Sequence, residues 1–162
     1  MRAVDGISQP AQAVVICGHN EELAKQMEEL KATLKIDLKV LGFVDNVYDF
    51  MEVSDILISK AGGITVTEAM AKELPVIIIK PIPGQETRNS DFFTSHGAAV
   101  RVNDVSEIKN VLEGITKGDC TQNVDAKRGD CPLTRMKTSI TNIRKPQASK
   151  DIAMLALEIA GS

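Results

Sequence analysis

The chain is organised around residues 55–89, whose sequence is DILISKAGGITVTEAMAKELPVIIIKPIPGQETRN. A short apolar run, Ile56 to Ile58, is followed by two adjacent glycines and by a helical pattern that starts at Ile64 and stops before Pro75. A second apolar run, Val76 to Ile79, comes next. This order of strand, glycine turn, helix and strand predicts one βαβ unit with parallel strands.

Two loops of this unit are suited to holding a ligand. Gly62 and Gly63 let the backbone approach a bound group closely, and the first turn of the helix offers unpaired N–H groups and the positive end of its dipole, which favours a phosphate. After the second strand, the sequence from Pro81 to Glu86 cannot continue a regular element and must form a loop. Both loops follow the carboxyl ends of parallel strands, where open α/β sheets hold ligands.

The rest of the chain continues the alternation of strands and helices. The continuous apolar run from Ala13 to Cys17 predicts a buried strand, and Asn20 is placed to cap the helix that follows it. Further strands are expected at 38–43 and 98–102, and further helices around 47–51, 86–96, 106–115, 133–143 and 149–159. Residues 117–130 are polar and predict an exposed loop. The fold class is therefore α/β, with a doubly wound, Rossmann-like parallel sheet of about five strands and helices on both faces.

The composition argues against several classes of protein. Of the 162 residues 43% are hydrophobic and 25% charged, which indicates one soluble globular domain. The net charge of -3 and an aromatic content of 3% do not favour nucleic-acid binding. No apolar run approaches the roughly 20 residues of a membrane span and no signal peptide opens the sequence, so the cytoplasm is the expected location. The cysteines lack the nearby histidines of a zinc site, so no metal is expected.

The stretch from Gly42 to Asn89 resembles the donor-binding half of two-domain, B-fold glycosyltransferases. It is most similar to the diacylglycerol glycosyltransferases (monogalactosyl- and glucosyl-diacylglycerol synthases), relatives of the enzyme that adds N-acetylglucosamine to the lipid-linked peptidoglycan precursor. The motif G-G-I-T-x-x-E-A followed by P-x-P-G-Q-E-x-x-N carries the resemblance, which extends from about Val14 to Val102 and resumes at 133–159. It implies a UDP-sugar donor, inversion of configuration at the sugar, no metal in the donor site, and glycolipid synthesis at the cytoplasmic face of the membrane.

The resemblance also assigns roles to residues at the matching positions of this sequence. The backbone at Phe43 and Val44 would bracket the uracil ring, and Glu68 would accept hydrogen bonds from the ribose hydroxyls. In the loop that contains Gly84, Gln85 and Glu86 would hold the sugar hydroxyls, and Asn89 would support that loop from its helix. The residues expected around the diphosphate are Gly62, Gly63, Ile64 and Thr65.

The sequence departs from the family pattern at its beginning. The donor domain of the family normally opens with a further strand and a glycine-rich loop that also touches the diphosphate, and residues 1–12 contain neither. The amino-terminal domain, which in the family binds the acceptor lipid and supplies the catalytic base, is also absent. We therefore expect residues 1–162 to be a single nucleotide-sugar-binding domain, a fragment that carries no catalytic residue of its own and does not transfer sugar alone.

Several of these residues also have a plain structural interpretation. The glycine pair can be a tight strand-to-helix turn, although the later Pro-Gly-Gln-Glu favours phosphate contact. Thr65-Val66-Thr67-Glu68 matches a capping box, in which the glutamate bonds back to the backbone of the cap residue. Residue chemistry alone does not separate that interpretation from a ribose contact.

The function has two alternatives from other classes. UDP-sugar 2-epimerases share the fold and a similar donor site, but they are expected to place acidic and histidine residues around the cleft, and this stretch offers little beyond Glu68 and Glu86. A non-catalytic nucleotide-binding module is the second alternative. Binding of sugar nucleotides separates both enzyme classes from such a module.

Overall fold

The computed structural model describes residues 1–117 and 131–161, so the predicted loop lies outside the described residues except for Lys117. The first half of the chain contains β1 (Gln12–Ile16), α1 (Glu21–Lys31), β2 (Asp37–Leu41), α2 (Val47–Val53), β3 (Leu57–Ser59) and α3 (Gly63–Ala71). The second half contains β4 (Val76–Ile79), α4 (Gln85–Ser95), β5 (Ala99–Val102), α5 (Glu107–Ile115), α6 (Pro132–Ile143) and α7 (Ala148–Gly161).

The described residues contain five strands, which are all parallel to their partners but form two sheets. In the first sheet β1 pairs with β2, with Ala13 opposite Leu38. In the second sheet β4 lies between β3 and β5, with Ile77 opposite both Ile58 and Val100. The predicted α/β class, the parallel pairing and the five strands are confirmed. The division into two sheets is a feature that the sequence pattern did not predict.

The hydrophobic core lies on both faces of β4. Val76 and Ile78 face one side, where they pack in a cluster with Val66 of α3 and Ile140 of α6, all fully buried. Ile77 faces the other side and packs in a second cluster that is completed by α5. Since successive side chains of a strand point to opposite faces, three adjacent isoleucine and valine residues build both halves of the core. This placement holds the carboxyl end of β4 in a fixed position.

The β1–α1–β2 unit is much less covered than the sheet around β4. Leu38 is 1% exposed and Cys17 is 8% exposed, but Val14 is 40% and Ile16 is 36% exposed. No residue of α1 is buried. The prediction that residues 13–17 are buried is therefore wrong for all but Cys17, because β1 has a strand neighbour along only one edge in the described residues.

Local signals place the ends of several helices. The side chain of Asn20 accepts a hydrogen bond from the N–H of Leu23 at 2.9 Å, which confirms the predicted cap of α1. Gly97 follows α4 with a φ of 69°, a left-handed conformation that favours glycine. The last helix, α7, is exposed along its length. In the described residues no helix is long and apolar enough to cross a membrane.

Candidate functional site

The glycine turn predicted from the sequence lies between β3 and α3. Gly62 is the N-cap residue, with φ and ψ of -62° and 131°, and α3 begins at Gly63. Among the residues that the structure describes, no side chain caps this helix. Because the first N–H groups of an α-helix have no partner within the helix, this turn presents uncapped donors and the positive end of the helix dipole at the end of β3. That is the arrangement that an anionic group needs.

The capping-box interpretation of Thr65 and Glu68 is wrong. The helix starts two residues before Thr65, so both side chains belong to the interior of α3 rather than to its boundary. Glu68 is exposed, and Ile64, in the first turn, is 79% exposed. The carboxylate of Glu68 is therefore not used to start the helix.

The loop between β4 and α4 has an unusual backbone. Lys80, the residue after β4, has a φ of 40° even though it is not a glycine and precedes a proline. Gly84 has φ and ψ of 103° and -117°, a conformation that only glycine adopts readily. One carboxylate oxygen of Glu86 accepts a hydrogen bond from the N–H of Ile82 at 2.7 Å, which holds the loop in shape. Strained residues of this kind concentrate at ligand-binding loops.

Asn89 connects the two loops. Its side-chain amide donates a hydrogen bond to the carbonyl oxygen of Ala61 at 3.0 Å, and the same nitrogen lies 3.6 Å from the position that a Cβ on Gly63 would take. The resemblance placed Asn89 in support of the loop before α4, whereas the structure bonds it to the glycine turn. The start of α4 is thereby held against the start of α3.

Phe43 and Val44 follow β2, in an exposed turn beside a histidine. The ring of Phe43 is 63% exposed and stacks on the ring of His19, with 4.4 Å between the centroids and 11° between the planes. His19 follows β1, so the pair closes the carboxyl end of the first sheet. No local pattern of residues predicts this contact, because the two rings are 24 positions apart. In the described residues Phe43 therefore contacts the ring of His19, which belongs to the first sheet.

The turn after β5 adds charge to the same edge of the second sheet. The hydroxyl and the N–H of Ser106 donate to one oxygen of Asp104 at 2.7 and 2.8 Å and lower the pKa of that carboxyl, and the positive charge of Lys80 acts in the same direction. Lys80 thus lies close enough to Asp104 to interact with it. Lys80 is not among the predicted site residues, and no pattern of adjacent residues predicts its strained backbone.

Comparison with known proteins identifies the class to which this arrangement belongs. The model of the family "Glycosyl transferases group 1" matches residues 1–128. The chain therefore belongs to the group 1 glycosyl transferase family. This result confirms the resemblance to B-fold glycosyltransferases that the motifs of residues 62–89 carried.

The curated relatives of the chain include processive diacylglycerol beta-glucosyltransferases. The chain is 36% identical to the one from Bacillus thuringiensis (strain Al Hakam) over 147 residues, and 39% identical to the one from Bacillus subtilis (strain 168) over 141 residues. These alignments cover 91% and 87% of the chain but 35% and 34% of the relatives. The chain thus spans about a third of the length of the curated relatives it matches.

Solved structures show the same fold at low sequence identity. The crystal structure of MurG from Acinetobacter baumannii matches 96% of this chain and 43% of its own, with a TM-score of 0.74 and 22% identity. The glycosyltransferase VinC in complex with DTDP matches 97% of this chain and 36% of its own, with a TM-score of 0.63 and 16% identity. At these identities the likeness concerns the fold alone.

Proposed function

We propose that the chain is the UDP-sugar-binding domain of an inverting glycosyltransferase that transfers a hexose to a lipid acceptor such as diacylglycerol. The observation that carries the proposal is the pair of helix starts at α3 and α4. Neither has a side-chain cap within the described part of the chain, both follow neighbouring strands, and the bond from Asn89 to Ala61 holds them together. Two such helix starts side by side suit a diphosphate joined to a sugar.

The proposed contacts with the nucleotide use residues that are exposed or partly exposed. Residues Gly62 to Thr65 would donate backbone N–H groups to the diphosphate, and the exposed carboxylate of Glu68 would accept from the ribose hydroxyls. The backbone at Phe43 and Val44 would hold the uracil. These assignments require no metal in the donor site, since the helix starts themselves supply the positive potential.

The hexose would lie at the loop before α4. Gln85 is exposed there, and Gly84 leaves room for a close approach of the sugar. Glu86 uses one carboxylate oxygen to hold the N–H of Ile82, so its second oxygen is the acceptor proposed for a sugar hydroxyl. In this arrangement Glu86 both shapes the loop and binds the donor.

The acceptor and the catalytic base would lie in the remainder of the protein. Inverting transfer needs a base that takes the proton of the acceptor hydroxyl while donor and acceptor are held in line. The relatives are about three times as long as this chain and are named as enzymes that act on diacylglycerol. We propose an amino-terminal acceptor domain and a location at the inner face of the cell membrane for the full-length protein.

Calorimetry with four nucleotides tests the donor. The chain is expected to bind UDP, UDP-glucose and UDP-galactose more tightly than ADP-glucose. Preference for the adenine nucleotide would refute the assignment. Binding of UDP alone, with no gain from either hexose, would favour a nucleotide-binding module instead.

Substitution of Glu68 tests the ribose contact. Glu68→Gln keeps the shape and one acceptor oxygen but loses charge-assisted hydrogen bonds, each worth about 1.5–3 kcal/mol. We expect UDP to bind at least about tenfold more weakly, with the melting temperature unchanged. Glu29→Gln, at an exposed glutamate of α1, is the matched control. A variant that binds UDP as before would remove Glu68 from the site.

An assay of lipid glycosylation tests the need for the remainder of the protein. The purified chain, given diacylglycerol in detergent and each UDP-sugar, is expected to make no glycolipid. The same chain joined to the amino-terminal part of a full-length relative is expected to make it. Glycolipid formed by the short chain would show that it contains its own base and acceptor site.

A further inference from the structure

The rings of His19 and Phe43 join the two turns at the carboxyl end of the first sheet. Their centroids are 4.4 Å apart and their planes differ by 11°. His19 lies between β1 and α1, and Phe43 lies between β2 and α2. Both residues are exposed, Phe43 by 63%, so the contact buries little apolar surface. Its contribution to the stability of the fold is therefore small.

The turn that carries His19 is held by its own backbone. The N–H of Cys17 donates to the carbonyl oxygen of Leu41 at 2.8 Å, and the N–H of Asn20 donates to the carbonyl oxygen of Cys17 at 3.2 Å. Gly18 has a φ of 59°, a left-handed conformation that turns the chain. The side chain of Asn20 then caps α1. The backbone of His19 is thus fixed on both sides along the chain.

The turn that carries Phe43 is held less tightly. In residues 1–117 and 131–161, no backbone-to-backbone hydrogen bond involves Phe43 or Val44. Their N–H and C=O groups are therefore available to the edge of a ligand. A backbone segment without such bonds has several conformations open to it, and ordering it costs free energy when a ligand binds. The contact of the Phe43 ring with His19 supplies an anchor that the backbone of this turn lacks.

We infer that His19 is a positioning residue for the nucleobase of the donor. By stacking on Phe43 it holds the backbone of Phe43 and Val44 in the conformation that binds the base. This role rests on the proposed function, in which that backbone holds the uracil. Uracil presents an N–H donor between two carbonyl acceptors, and adenine presents a different pattern. Because hydrogen bonds depend on distance and angle, a fixed backbone distinguishes the two bases better than a free one.

Calorimetry of His19→Ala with UDP and with ADP tests this role. Loss of the stack is expected to weaken the binding of UDP about three- to tenfold, with the binding of ADP unchanged. The preference of the chain for UDP over ADP should therefore shrink. A merely structural role would weaken both nucleotides alike, since they share the ribose and the diphosphate. Equal losses for both nucleotides, or an unchanged affinity for UDP, would overturn the inference.

The second histidine of the chain provides the matched control. The ring of His96 also lies 4.4 Å from a phenylalanine ring, that of Phe92, but it follows α4 rather than a strand of the first sheet. His96→Ala is expected to bind UDP as the original chain does. His19→Phe keeps an aromatic ring in place and should restore UDP binding to within about twofold of the original. If His19→Phe binds UDP as weakly as His19→Ala, the imidazole itself is required, which would contradict a role through stacking.

A double-mutant cycle tests whether His19 acts through Phe43. Phe43→Leu keeps an apolar side chain but removes the ring, and it is expected to lower the affinity for UDP by the same factor as His19→Ala. The combined variant should lose no more than either single variant, because both remove the same contact. Losses that multiply would show that the two side chains act separately. If His19→Ala fails to fold, Phe43→Leu carries the comparison of UDP with ADP, with the same expected and contradicting results.

Failure of the proposed function gives a different result from failure of this role. If the original chain binds UDP no more tightly than ADP, the donor assignment fails and the role of His19 fails with it. If the original chain prefers UDP and His19→Ala keeps the whole of that preference, the donor assignment stands and the positioning role of His19 is wrong. The expected result is a preference for UDP in the original chain that His19→Ala reduces and His19→Phe restores.

Discussion

The β1–α1–β2 unit and the three-stranded sheet around β4 are built from similar sequences but are buried to different extents. In β4 the residues from Val76 to Ile78 are fully buried, and helices cover both faces of the strand. In β1 an equally apolar run leaves Val14 and Ile16 more than a third exposed. The same type of sequence thus gives a covered strand in one place and an open one in the other.

The difference shows that burial depends on the neighbours of a strand as well as on its composition. In the described residues β4 has a strand on each side, whereas β1 has a strand on one side and borders a cavity of about 660 Å³ on the other. Hydrophobic stabilisation scales with the apolar area that is removed from water. We therefore expect the sheet around β4 to carry most of the stability of the isolated chain.

Truncation of matched isoleucines should give the largest difference. Ile77→Ala removes a fully buried side chain and is expected to lower the free energy of unfolding by about 2–5 kcal/mol. Ile16→Ala removes a side chain that is already 36% exposed and should cost less than about 1.5 kcal/mol. Urea denaturation of both variants measures the two costs. Equal losses would mean that the two sheets share one core.

Hydrogen exchange compares the two regions without a substitution. Amides of β4 are expected to exchange only through global unfolding, because both of its neighbours and both of its faces are in place. Amides of β1 and α1 should exchange through local opening at a free energy that is lower by about 2 kcal/mol or more. Uniform protection across the chain would contradict the difference in burial.

How much of this could be predicted from the sequence depended on how local the signal was. Asn20 acts within a few residues of its own position, and the helix start that it predicts is confirmed. The burial of β1 was predicted wrongly, since an apolar run reports the environment that a strand is suited to and not the one it has. The match to a capping box was equally local, but an earlier helix start at Gly63 overrode it.

The positions of the two loops of the candidate site could be predicted from the sequence, but the contacts between their residues could not. Two glycines before a helix and a Pro-Gly loop after the next strand are patterns of adjacent residues, and parallel pairing brings both to one edge of the sheet. The bond from Asn89 to Ala61 and the strained backbone of Lys80 depend on how α4 packs, which no pattern of adjacent residues encodes. The roles of the site residues in donor binding remain predictions.

Two asparagines offer a smaller test, with one in each region. Asn89→Ala leaves the partly buried carbonyl of Ala61 without its donor and should cost about 1–3 kcal/mol of stability, with weaker binding of UDP. Asn20→Ala removes the cap of α1 and should cost about 1 kcal/mol, with UDP binding unchanged. Thermal melting and calorimetry give both quantities. If the two variants bind UDP equally well, Asn89 has no role in the donor site.

The smallest effect is expected from an ion pair on the surface of the second region. The hydrogen bond of Lys72 to Glu52 raises the pKa of Lys72 above its ordinary value of 10.5. A raised pKa means that the pair stabilises the fold fully below 10.5 and ceases to do so as the pH rises through the folded-state value. The difference in melting temperature between the original chain and Glu52→Gln should therefore shrink above that pH. A difference in melting temperature that grows with pH would contradict the raised pKa of Lys72.

The most direct test of the central claim, that the glycine turn holds the phosphates of a nucleotide sugar, is UDP binding by Gly63→Ala. A Cβ at Gly63 would lie 3.6 Å from the amide nitrogen of Asn89, an ordinary contact distance, and alanine is the better helix former. The variant should therefore fold with stability unchanged or raised by about 0.5–1 kcal/mol. If the backbone there contacts the diphosphate, calorimetry should show at least about tenfold weaker binding of UDP. A variant that binds UDP as tightly as the original chain would contradict the proposed donor site.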